Sequence, residues 1–262
     1  MNNNPIGIFD SGLGGLSIWK DIQSLLPNEE FYYLADSRHA PYGDKPPEEI
    51  LRLSIKNTEF LLERNCKLIV VACNTATTNA IAYLRENYAV PFIGIEPAIK
   101  PAALHTKTGK VGVLATKGTL GSSLFHHTAS NHAAGITIID QTGTGLVPLI
   151  EAGEATSEAS RALLLKYLTP MLDAGVDQIV LGCTHYPFLM PLLEELLPDH
   201  INVLDCGMAV ARQTQRVLLE KQLGHTSTEP GLSHFYTNKS PDILNKMLGQ
   251  LNASGDVKFI DF

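Results

Sequence analysis

The 262-residue sequence predicts an α/β fold built as two similar doubly wound parallel-sheet domains. Short runs rich in Val and Ile, each bounded by turn residues, alternate with longer helix-period segments, the pattern of parallel sheets covered by helices. Four such runs in the first part pair in order with four in the second, at an offset of about 105 to 110 residues, which marks an internal duplication. The best match sets Ile69-Val70-Val71-Ala72-Cys73 against Ile179-Val180-Leu181-Gly182-Cys183.

In chain order the first four strands are expected at 6–10, 31–36, 68–73 and 91–96. The next four fall at 111–116, 136–140, 178–183 and 202–205. A helix over 157–174 carries Leu164, Leu165, Leu168, Met171 and Leu172 on one face and should end at Gly175, and Asn65 holds the equivalent place before Cys73. After Asp205 come a helix over 208–223, a polar loop over 225–230, and short strands around 234–237 and 257–261. Between those strands Ser240 is a good N-cap, with Pro241 at the first position of a helix. This tail has no counterpart in the repeat, so it should complete the first sheet. The expected domains are 1–97 with 208–262, and 98–207, with the active site in the cleft between them.

Twenty Lys and Arg against 27 Asp and Glu leave a net charge of −7, which disfavours nucleic acid or an anionic membrane as partner. The longest apolar runs, such as 68–73, hold about six residues where a bilayer span needs roughly 20. The start, Met1-Asn2-Asn3-Asn4-Pro5, has neither the basic flank nor the apolar stretch of a signal peptide. The expected location is therefore the reducing cytoplasm, with Cys66, Cys73, Cys183 and Cys206 as free thiols. No Cys-x-x-Cys pair or finger-like spacing occurs, so no metal site is expected.

Ligands of parallel sheets bind beyond the carboxyl ends of the strands. The residues there are Asp10-Ser11-Gly12, Cys73-Asn74-Thr75, Thr116 to Thr119, and Cys183-Thr184-His185. A cysteine just before a helix lies near that helix's N-terminal dipole, which should lower the thiol pKa below about 8.5. A cytosolic cysteine taken alone reads as a small buried hydrophobe, the reading given to Cys66 and Cys206. Cys73 and Cys183 differ because they occupy equivalent places in the two repeats. Facing each other across a cleft, two such thiols could take a proton from one face of a carbon and return one to the other, inverting the centre. Asp10 reads equally as a turn cap and as a functional acid. His185 could share a proton with the neighbouring thiol. Ser11, Asn74, Thr75 and Thr184 are short donors suited to a small carboxylate ligand. Gly12-Leu13-Gly14-Gly15 invites a dinucleotide reading, but Ser17 stands where G-x-G-x-x-G needs its third glycine. With no phosphate loop or nucleophile elbow either, a cofactor-free mechanism is expected.

Asp10-Ser11-Gly12-Leu13-Gly14-Gly15-Leu16, Pro41-Tyr42-Gly43, Ala72-Cys73-Asn74-Thr75-Ala76-Thr77, Gly94-Ile95-Glu96-Pro97-Ala98 and Leu181-Gly182-Cys183-Thr184-His185-Tyr186-Pro187 together resemble the glutamate racemases of the aspartate/glutamate racemase family. The resemblance runs from about residue 6 to 206. It implies cofactor-independent interconversion of L- and D-glutamate, supplying D-glutamate for peptidoglycan, by a protein that is commonly a homodimer. It also implies Cys73 and Cys183 as the two acid/bases, assisted by Asp10 and His185, with Glu151 supporting the histidine. Ser11, Tyr42, Gly43, Asn74, Thr75 and Thr184 would hold the amino acid beside Asp10 and His185, and Thr116 and Thr119 would line the same cleft. Gln141-Thr142-Gly143-Thr144-Gly145-Leu146-Val147-Pro148 departs from the family, many of whose members read Ala-Cys-Pro before the Val-Pro pair. Asp205-Cys206 stands where Asp-Ser is frequent. The alternatives are an aspartate or related racemase and a non-catalytic amino-acid-binding protein.

Overall fold

A computed structural model describes residues 2–132 and 135–262. Strands β1 (Ile6–Asp10), β2 (Phe31–Ala35), β3 (Leu68–Val71) and β4 (Phe92–Gly94) lie in one sheet. Strands β5 (Lys110–Ala115), β6 (Thr137–Thr142), β7 (Gln178–Gly182) and β8 (Asn202–Leu204) form a second. The tail strands β9 (Ser233–Thr237) and β10 (Asp256–Phe259) extend the first, giving the order β10-β9-β2-β1-β3-β4. The second sheet runs β6-β5-β7-β8, so its order repeats β2-β1-β3-β4 strand for strand. Every neighbouring pair is parallel.

The central strands β3 and β7 are buried along their whole length, which is why they read as unbroken β-branched and apolar runs. The helix Glu158–Asp173 starts on Ser157, whose hydroxyl accepts from the Ser160 amide, and the chain leaves it through Gly175 at φ 79°. Asn65 makes the same left-handed exit at φ 58° after the helix Pro47–Leu62. Ser240 caps the helix Pro241–Gln250 by accepting from the Asp242 amide. The strands stop one or two residues short of the expected ends at 73 and 183, because the chain is already turning there. Cys73 is the N-cap of the helix Asn74–Asn87. Beyond Cys183 the expected helix is a single 3-10 turn, Tyr186–Leu189, followed by the short helix Met190–Leu196.

One buried cluster contains Ile8, Leu13, Leu16 and Val70 from the first sheet's side together with Leu114, Leu146, Leu181 and Tyr186 from the second's. The two halves therefore share packed apolar surface, at roughly 25 cal/mol for each Å² removed from water.

A buried carboxylate fastens the turn that leads into β5. Asp177 accepts from the Thr106 hydroxyl at 2.5 Å, the Lys107 and Thr108 amides at 2.6 and 3.3 Å, and the Thr108 hydroxyl at 3.2 Å. Burial by itself raises the Asp177 pKa, but the Thr106 hydroxyl and the two amides outweigh it and hold the carboxyl below its usual value. A depressed native pKa gives stability that is present above the unfolded value of about 3.9 and is lost as pH falls through the native one. Asp177→Asn should cost about 1–3 kcal/mol in urea unfolding at pH 7. The gap to the unsubstituted chain should narrow as pH falls from about 3.9 through the native pKa.

Candidate active site

In the order 2-1-3-4 the chain leaves the first strand toward one edge and later returns to the other side, so a crevice opens between the carboxyl ends of the first and third strands. Asp10 ends β1 and Cys73 follows β3, and Thr116 and Cys183 hold the equivalent positions after β5 and β7. The halves turn these two crevices on each other. Cys73 Sγ accepts from the Ala76 amide at 3.4 Å and donates to Ser11 Oγ at 3.6 Å. Cys183 Sγ lies 3.7 Å from His185 Nδ1. Both thiols are buried, and charge on Cys183 contributes to the pKa of Cys73.

The expected lowering of the thiol pKa does not hold for Cys73. Burial, and after it the charge of Asp10, pushes this thiol well above the usual range against the Ala76 and Ser11 bonds. Full desolvation moves a pKa by up to 3–5 units, whereas a helix N-terminus contributes about 0.3–1 kcal/mol, so burial wins. Cys183 has only a 3-10 turn after it, and its partner is a side chain instead. Burial alone would lower the His185 pKa, but the bonds to Cys183 and Glu151 raise it well above that of a free imidazole. The ring is held at both ends, with Cys183 Sγ at Nδ1 and, at Nε2, Glu151 Oε1 at 2.6 Å and the Gly14 amide at 3.2 Å. Asp10 is raised by burial, with His185 acting in the opposite direction.

The remaining contacts cross the cleft. Thr184 Oγ1 donates to Asp10 Oδ1 at 3.3 Å, and the Leu13 amide donates to Glu151 Oε1 at 2.6 Å. Thr75 Oγ1 is 2.9 Å from Thr116 Oγ1 and 3.5 Å from Thr119 Oγ1. A Cβ on Gly43 would lie 3.0 Å from Thr116 Cβ, so this loop is pressed directly on the other half. Asn74 is buried with neither end of its amide bonded. A buried amide without partners is the kind of group a ligand completes. Asp10, Ser11, Gly43, Cys73, Asn74 and Thr75 thus face Thr116, Thr119, Glu151, Cys183, Thr184 and His185. The Tyr42 hydroxyl is engaged elsewhere: it donates to Asp36 Oδ2 at 2.5 Å and accepts from Asn57 at 3.0 Å, leaving its main chain for a ligand.

A family model described as Asp/Glu/hydantoin racemase matches residues 21–214. The chain belongs to this racemase family. A glutamate racemase of Herpetosiphon aurantiacus is 48% identical over 241 residues, 92% of this chain and 95% of that relative. The crystal structure of a glutamate racemase isoform from Bacillus anthracis superposes with a TM-score of 0.88 at 27% identity, covering 100% of this chain and 99% of the other. The glutamate racemase of Francisella tularensis, crystallised with D-glutamate, gives 0.85 at 27% identity, covering 100% and 98%.

In this member of the racemase family the glycine-rich turn after β1 has a use that a dinucleotide reading misses. A Cβ on Gly12 would meet Glu151 Oε1 at 2.0 Å, and one on Gly14 would meet His185 Nδ1 at 2.3 Å. The glycines are bare so that two side chains of the other half can lie on them. Ser17, at the place of the missing third glycine, donates to the Gly14 carbonyl at 2.9 Å and is 3.0 Å from the Thr184 carbonyl across the cleft. No local pattern announces these roles, because the partners are 138 to 171 residues away.

Proposed function

We propose that this racemase interconverts L- and D-glutamate by two-base proton transfer between Cys73 and Cys183, supplying D-glutamate for peptidoglycan. The observation that carries the reading is the meeting of two cysteines from equivalent strand ends in one buried site. One sulfur, as thiolate, takes the α-proton; the C–H electron pair passes toward the α-carboxylate; the opposite thiol then gives its proton to the other face of the carbon. Desolvation and aimed donors must make a weakly acidic C–H removable. Ser11, Asn74, Thr75 and Thr184, with Thr116, Thr119 and the main chain of Tyr42 and Gly43, hold the carboxylates and ammonium. Asp10 serves Cys73 and His185 serves Cys183, with Glu151 holding the imidazole from behind.

We take 1–97 with 208–262, and 98–207, as the two domains that close on the substrate. Peptidoglycan precursor supply fits a cytoplasmic protein, and the family resemblance fits a homodimer. No helix of the described residues is long and apolar enough to cross a membrane. Incubation with L-glutamate in D₂O, without added cofactor, tests the function: optical activity should decay while deuterium enters the α-position. Constant optical activity with no deuterium at the α-position sinks the reading. L-Aspartate, one methylene shorter, should turn over at least about tenfold more slowly.

A further inference from the structure

The loop carrying Tyr42 and Gly43 is anchored from behind by a buried carboxylate. Asp36 follows β2 and is fully buried, and its amide donates to the Asp10 carbonyl at 3.0 Å, which ties it to the strand end where the site begins. Its Oδ2 accepts from the Tyr42 hydroxyl at 2.5 Å. Its Oδ1 accepts from Asn238 Nδ2 at 2.5 Å and lies 2.6 Å from His39 Nδ1. Asn57, on the helix Pro47–Leu62, donates to the Tyr42 hydroxyl at 3.0 Å, and Asn238 Oδ1 accepts from the Arg38 amide at 2.9 Å. Three segments meet at this one carboxylate, the end of β2, the 37–44 loop and the turn after β9, and the helix joins them through the Tyr42 hydroxyl.

A buried carboxylate is stable only with its lone pairs matched by donors, and donors drawn from the 37–44 loop and the turn after β9 fix those segments to the end of β2. The segment it fixes is the one whose Gly43 rests on Thr116 with no side chain between. We propose that Asp36 is a positioning residue: acting through Tyr42, it holds the Pro41–Gly43 main chain at the separation from Thr116 that the substrate needs, and so sets substrate affinity rather than the proton-transfer step. The proposal rests on the reading of this cleft as a glutamate site.

Tyr42→Phe keeps the ring and removes one donor to Asp36; Asp36→Asn keeps the shape and turns an acceptor into a donor facing other donors. Loss of binding shared by substrate and transition state raises KM and leaves kcat alone. KM for L-glutamate should therefore rise about tenfold in Tyr42→Phe, and at least as much in Asp36→Asn, with kcat within about threefold, the size of one charge-assisted hydrogen bond. Asp177→Asn, destabilised at a site away from the cleft, should keep both constants and separates positioning from general instability. If Asp36→Asn does not fold, Tyr42→Phe decides alone. A KM in Tyr42→Phe within about twofold of the unsubstituted protein, or a fall in kcat at unchanged KM, overturns the proposal. Absence of turnover in the unsubstituted protein overturns the glutamate reading instead.

Discussion

Cys73→Ala and Cys183→Ala should each reduce racemisation at saturating glutamate by at least about 10³-fold, followed by circular dichroism. The size follows from the arrangement, since each sulfur serves one face of the stereocentre and nothing else in the site occupies its place. The two variants should also differ from each other. With one sulfur left, a base can still take the α-proton of one enantiomer and return a solvent deuteron to the same face. Slow deuteration without inversion is therefore expected, of opposite enantiomers in the two variants. The other two thiols provide the contrast. Burial pushes Cys66 and Cys206 up to about 12 in each case, and among the described residues neither has a side-chain hydrogen-bond partner such as Ser11 is to Cys73 or His185 to Cys183. Cys66→Ala and Cys206→Ala should keep turnover and cost about 1 kcal/mol of stability. Near-normal racemisation in Cys73→Ala or Cys183→Ala would falsify the two-base assignment.

The duplicated topology was legible from residues alone because a fully buried parallel strand and a left-handed helix exit leave local marks. Ile69–Cys73 and Ile179–Cys183 in the sequence are such marks, as are Asn65 and Gly175, and the structure repeats them in the same strand order. The state of the thiol at Cys73 was not legible, because it is decided by how completely the other half excludes water. The same holds for Tyr42. Its neighbours in sequence suggest a ligand contact, but its hydroxyl belongs to Asp36 and Asn57, the second of which arrives on a separate helix. Propensity and spacing describe what a segment can do by itself; a cleft is set by what two segments do to each other.

Gly14 offers the sharpest test of that closure. Its φ is not in the left-handed region, so alanine fits the backbone without strain, and any effect must come from the added methyl. That methyl would lie 2.3 Å from His185 Nδ1 and 2.6 Å from Cγ. The ring cannot simply swing aside, because Glu151 holds one nitrogen and Cys183 the other. Either the imidazole leaves Cys183 or the two halves part. A displacement of about 1 Å at a reacting group costs about 10²-fold, so Gly14→Ala should lower kcat/KM by about that factor. Overpacking should cost about 1–3 kcal/mol in urea unfolding, leaving the protein folded. Gly249, inside the helix Pro241–Gln250 with open space around it, supplies the neutral case: Gly249→Ala should be active and slightly more stable, by about 0.5–1 kcal/mol. If Gly14→Ala races its substrate as fast as Gly249→Ala does, His185 does not need its seat on this turn, and the closed cleft is not the working state of the enzyme.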